Sequence, residues 1–127
     1  MYGPFDKQLE LRDIAAGTVT ATTAEAGKAI AVAMAGTFKA VFYVSALDTG
    51  SGNETYALSI ETDSATAFAS PISIGSVPVT TTGVFELPLT QWQVAQLDAT
   101  AAAIRCKATL GGTTPSITYG CYLAKAD

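Results

Sequence analysis

Apolar and polar residues alternate with period two along most of this chain, most clearly over 101–124, AAAIRCKATLGGTTPSITYGCYLA. Ala102, Ile104, Cys106, Ala108 and Leu110 point one way and Arg105, Lys107 and Thr109 the other, the pattern of a half-buried strand. Ile117, Tyr119, Cys121 and Leu123 repeat it after Gly111-Gly112-Thr113-Thr114-Pro115, whose glycines supply the positive φ of a tight turn. The stretch predicts a closing β-hairpin laid over an apolar core.

The same reading applies upstream. Residues 1–16 alternate weakly and mix Tyr2, Phe5, Leu9, Leu11 and Ile14 with charges; they predict an extended N-terminal arm that either folds back on its own domain or reaches a neighbour. Thr18 to Thr23 reads as a β-branched strand, and Ala29 to Ala35 as a second, with Ile30, Val32 and Met34 on one face. Phe38 to Leu47 is apolar on both sides, with Phe38, Ala40, Phe42 and Val44 against Val41, Tyr43 and Leu47, which marks a central strand covered twice. Its expected hairpin partner is Thr55 to Asp63, with Tyr56, Leu58 and Ile60 inward and Glu61 and Asp63 outward. Phe68, the one large apolar residue of its loop, is expected to plug the end of the core. Ile72 to Val79, broken by Gly75 and Pro78, reads as an edge, and Val84 to Leu89 as another strand. Gln91 to Asp98 fits a strand or a helical turn equally. About eight strands separated by turn signals predict an all-β fold, a two-sheet antiparallel β-sandwich wired as a jelly roll. The arm spans 1–16 and the single sandwich domain 17–127.

At 127 residues the chain suffices for one domain with its own core. Its mean hydropathy is positive, and apolar surface in excess is generally covered by another protein, so assembly is expected. A net charge of −4, with seven scattered basic residues, lacks the basic stripe that phosphate backbones demand; no nucleic-acid partner is expected. The opening Tyr2-Gly3-Pro4-Phe5-Asp6 has no charged region leading into an apolar one, and no apolar run approaches bilayer length, so neither a secretory leader nor a membrane partner is expected.

Candidate chemistry is sparse. The chain has no His, which removes the commonest general base and the Ser and Cys triads; no catalytic residue, cofactor or metal site is assigned, and the protein is not expected to be an enzyme. Asp48-Thr49-Gly50-Ser51 carries the letters of the aspartic protease loop, in which two carboxylates share a proton, but Asp-Thr-Gly-Ser-Gly-Asn is also ordinary turn composition. Two cysteines without His make no zinc site. In the expected hairpin Cys106 faces either Tyr119 or Cys121, and only the second register permits a disulfide, which leaves that link open beside the reading of two buried thiols.

Three stretches together resemble the jelly-roll capsid cement (decoration) proteins of tailed bacteriophages: Phe5-Asp6-Lys7-Gln8-Leu9-Glu10-Leu11-Arg12-Asp13 leading into Thr18 to Thr22; Tyr56 to Pro71; and Ile104-Arg105 through Gly112 to Leu123. The resemblance implies a structural virion protein, made in the host cytoplasm, that binds the outer capsid surface, cements neighbouring major capsid subunits and self-associates as a homodimer or homotrimer. It places the capsid contacts on the arm, with Tyr2, Phe5, Leu9 and Leu11 as apolar anchors and Asp6, Lys7 and Arg12 as rim charges. The alternative is a receptor- or carbohydrate-binding jelly roll of a spike or fibre, which requires an exposed aromatic groove.

Overall fold

The computed structural model describes residues 9–27, 37–90 and 102–125. They form nine strands: β1 (Glu10–Arg12), β2 (Thr18–Val19), β3 (Thr23–Ala24), β4 (Thr37–Leu47), β5 (Thr55–Asp63), β6 (Ile72–Pro78), β7 (Gly83–Thr90), β8 (Ala103–Gly111) and β9 (Ile117–Lys125), with a 3-10 turn at Ile14–Ala16. The strand expected over 29–35 and the undecided stretch 91–98 lie outside the described residues.

One sheet runs β1-β9-β4-β7 with β2 also on β9, the other β3-β8-β5-β6, and every pairing is antiparallel. Taken as one interrupted strand, β1 and β2 pair with β9; then β3 pairs with β8, β4 with β7, and β5 with β6. First meets last and each inner pair nests inside the outer one, which is a single long antiparallel ribbon rolled into two facing sheets. That is the eight-strand jelly roll. Its core is the space between the sheets, filled by Phe42 and Tyr119 with Leu58, Ile60, Leu89, Ile104, Ile117 and Leu123, all fully buried.

The inward residues of β4, β5, β8 and β9 are the ones the alternation selects, but their neighbours differ from the expected hairpins. β8 and β9 belong to opposite sheets, so Gly111 to Pro115 carries the chain across the core instead of turning it back within a sheet. The same holds for β4 and β5, joined by the crossing at 48–54. Thr18 to Thr23 is likewise divided, with β2 in one sheet and β3 in the other. Each correction has one physical cause: two strands that face a shared core from opposite sheets show the same alternation as two that lie side by side.

A bulge between Val44 and Ala46 in the β4–β9 pairing adds one residue and reverses the parity beyond it. Leu47 therefore packs against the core with Phe38, on the face opposite to that expected from a regular strand. β4 is central, flanked by β9 and β7. β6 is an edge of its sheet among the described residues, as its Gly75 and Pro78 require.

Candidate functional site

From Leu9 onward the N-terminal segment folds back on its own sandwich. Leu9 is half-buried against the core, Leu11 is buried within it, and β1 pairs with β9 through Glu10 opposite Tyr122 and Arg12 opposite Cys121. Arg12 is not a rim charge. Its Nε donates to the Tyr119 carbonyl at 3.0 Å, Nη1 to Glu25 Oε2 at 2.7 Å and Nη2 to the Gly17 carbonyl at 2.8 Å. The guanidinium also lies 4.8 Å from the centre of the Tyr119 ring, an arrangement in which the ring quadrupole attracts the cation. Because β1 and β3 stand at the ends of opposite sheets among the described residues, the Arg12–Glu25 ion pair spans the seam between them. Leu11 and Arg12 thus serve the sandwich rather than a neighbour, since a chain that can cover the open side of its own core gains that burial without a partner. Tyr2, Phe5, Asp6 and Lys7 lie outside the described residues.

On the outer face of the same sheet, Tyr43 and Tyr122 tilt against each other with ring centroids 6.3 Å apart. Gly120 makes the space: a Cβ there would stand 2.3 Å from Tyr43 Cζ. Burial raises the Tyr43 hydroxyl above its ordinary pKa, and the nearby Glu10 and Asp13 carboxylates add to the shift.

At one end of the sandwich, the crossings 48–54 and 112–116 are laced together. Asn53 Nδ2 donates to Thr113 Oγ1 at 2.8 Å while its Oδ1 accepts from the Thr113 N–H at 3.1 Å, and the Ser51 and Thr114 hydroxyls meet at 3.0 Å. Beneath them the Tyr56 hydroxyl donates to the Asp48 carbonyl and accepts from the Ser116 N–H at 2.9 Å. For the Glu54 carboxylate, desolvation is outweighed by hydrogen bonds from Ser51 and Thr114, so its pKa is lowered. Asp48 Oδ1 accepts from the Gly50 N–H at 2.8 Å, an Asx turn at an exposed crossing. The Asp-Thr-Gly-Ser letters here build a turn. Beside it opens a cleft of about 260 Å³ lined by Thr49, Thr55, Tyr56, Pro78, Val79 and Thr80. Among the described residues its single aromatic is Tyr56, which is only 5% exposed, so none of them offers a sugar an open ring face there.

The outer face of the second sheet carries a different cluster. Arg105 pairs with Glu61 at 2.7 Å, and its guanidinium lies 4.4 Å from the centre of the Phe68 ring. Phe68 belongs to no part of the central core cluster; it covers this outer face rather than the end of the sandwich. It has φ +50°, a backbone region costly for a bulky side chain, and a Cβ on Gly27 would meet its ring at 2.2 Å. Asp63 fastens both ends of the loop: its Oδ1 accepts from the Ser64 N–H at 2.7 Å and its Oδ2 from the Ser70 N–H at 2.9 Å. These bonds, Ser70 first, hold the Asp63 carboxyl below its ordinary pKa. Sequence alternation puts Glu61 and Asp63 on the outer face but gives no sign that this face is covered; Phe68 and its lone position in a polar loop are the only trace.

Cys106 and Cys121 are free and fully buried, and they come from opposite sheets. Cys106 Sγ lies 3.7 Å from the Tyr119 hydroxyl. Among the described residues no group of three or more His, Cys, Asp and Glu side chains is placed to hold a metal ion. No family model matches this chain, and no match is found among curated proteins or solved structures.

Proposed function

We propose that this protein is a capsid decoration protein, an adhesive jelly roll that binds the outside of a phage head and cements neighbouring major capsid subunits. The observation that carries the reading is where the three resembling stretches fall. The first supplies β1 and β2, the second β5 and the Phe68 loop, the third β8 and β9 with their crossing. β1 and β2 pair with β9, and β5 pairs with β8, so stretches far apart in sequence form one continuous half of the sandwich spanning both sheets. A rigid domain of this kind loses little conformational entropy on docking, and many copies on a lattice multiply weak contacts through avidity.

The use of Leu11 and Arg12 inside the sandwich narrows the proposed anchors to the residues before Leu9, with Tyr2 and Phe5 as apolar contacts and Asp6 and Lys7 as charges. Self-association as a dimer or trimer on a lattice axis fits symmetric assembly. The test is reconstitution: purified full-length protein is added to heads lacking a decoration layer, and occupancy and heat resistance of the heads are measured. Saturable binding with a rise in the temperature of head rupture is expected, and removal of residues 1–8 abolishes it while the sandwich stays folded. Absence of binding by the full chain, together with retention on a glycan array, overturns the reading in favour of a carbohydrate module.

A further inference from the structure

The two thiols of this chain sit where a covalent link would join the two sheets. Cys106 is in β8 and Cys121 in β9, both are fully buried, and both belong to the central core cluster. Cys106 Sγ touches the hydroxyl of Tyr119, which precedes Cys121 by two positions on the same inward face of β9. The partner strands repeat the relation: Cys106 pairs laterally with Ile60 and Cys121 with Phe42, so neither cysteine has the other as a neighbour within a sheet, and they face the shared core from opposite sheets. The chain passes from β8 to β9 through residues 112–116, at one end of the sandwich.

We propose that Cys106 and Cys121 are a latent disulfide site, closed by a small disulfide oxidant such as oxidised glutathione into one cystine that staples the two sheets together. One cysteine thiolate attacks the oxidant, forming a mixed disulfide and releasing a glutathione thiolate. The second cysteine thiolate then displaces the other glutathione. In sum two cysteine thiols lose two protons and two electrons, and one oxidised glutathione becomes two reduced molecules. The link remains open in a reducing cytosol and closes in an oxidising medium, so it hardens the fold only after the protein has left the cell that made it. This holds whatever surface the domain adheres to.

Two features of the site set its behaviour. Burial, reinforced by the neighbouring Cys106, pushes the Cys121 thiol well above its ordinary pKa, so Cys121 stays a thiol in the closed core, and its reaction waits on local opening. Facing sheets pack about 10 Å apart, whereas a cystine spans roughly 4.4–6.8 Å between Cα atoms. The two strands must therefore draw together, as they do in immunoglobulin domains, where a cystine joins two sheets.

The test holds the native full-length chain in glutathione buffers of graded redox poise at a temperature a few degrees below its melting point. Intact mass without reductant, peptide mapping and melting temperature are then recorded. The expected product is a monomer lighter by two hydrogens, with Cys106 and Cys121 in one linked peptide pair, melting roughly 5–12 °C above the reduced chain. Cys106→Ala and Cys121→Ala each remove the linked product; where either variant fails to fold, the peptide map of the wild-type chain decides alone. Glutathione held separately on the two cysteines, a chain-to-chain dimer, unreacted thiols throughout, or a linked chain that melts lower than the reduced one would overturn the proposal.

Discussion

Arg12→Ala is the substitution that most directly probes how the sandwich is closed. The guanidinium donates three hydrogen bonds, to Tyr119 O, Glu25 and Gly17 O, and its side chain is 5% exposed. Hydrogen bonds from a charged group contribute about 1.5–3 kcal/mol each, but the three share one side chain and do not add. Removing one partner of a buried ion pair costs about 3–5 kcal/mol, because the other is left without its counter-charge. Glu25, 19% exposed, keeps some access to water, which favours the lower half of that range. At about 4 °C per kcal/mol for a domain of this size, the melting temperature should fall by roughly 12–16 °C. Denaturant unfolding followed by Tyr and Trp fluorescence gives the free energy directly. The double variant Arg12→Met with Glu25→Leu should recover part of the loss, because it leaves no charge behind, while the Tyr119 and Gly17 carbonyls still lose their donor. A cost below about 1 kcal/mol for Arg12→Ala, the value of an exposed pair, would refute the seam.

Two further outcomes follow from the Phe68 loop. Gly27→Ala places a methyl group 2.2 Å from the Phe68 ring, an overpacking worth about 1–3 kcal/mol, and should lower hydrogen-exchange protection in 64–70 while leaving β4 and β9 unchanged; equal loss in all three would be inconsistent with Phe68 being a satellite of the core. Asp63 has a depressed folded-state pKa, so its contribution is present above the unfolded value of about 3.9 and is lost as pH falls through the folded value. The stability gap between wild type and Asp63→Asn should be full at neutral pH and vanish in acid below both values; a gap independent of pH would show that the two backbone hydrogen bonds do not depend on the charge.

The inward faces of β4, β5, β7, β8 and β9 are legible in the alternation of the chain, and with them the all-β class. Strand partners are not. Cys121 lies beside Phe42 and Cys106 beside Ile60, pairings fixed by the packing of the whole ribbon, whereas local pattern alone suggests that Cys106 and Cys121 share a hairpin. Leu47 changes face because of a single extra residue near Ser45, a bulge with no Gly to announce it. Arg12 finds Glu25 thirteen positions on, just past a strand of the other sheet, so nothing in its own strand marks it as interior. Tyr56 likewise reads only as an inward aromatic; its hydroxyl's part in holding the crossing at 48–54 depends on Ser116, sixty residues later.

Thr18 and Thr118 join hydroxyls at 2.8 Å across a hundred residues, and β9 lies between the opening strands and β4. During synthesis, then, β4 lacks one of its two lateral neighbours and β1 and β2 lack theirs until β9 leaves the ribosome. Such remote closure is slow, and the waiting chain presents sticky strand margins to every other nascent copy. Yield in the cell should respond more to chaperone supply and growth temperature than to the equilibrium stability of the finished fold.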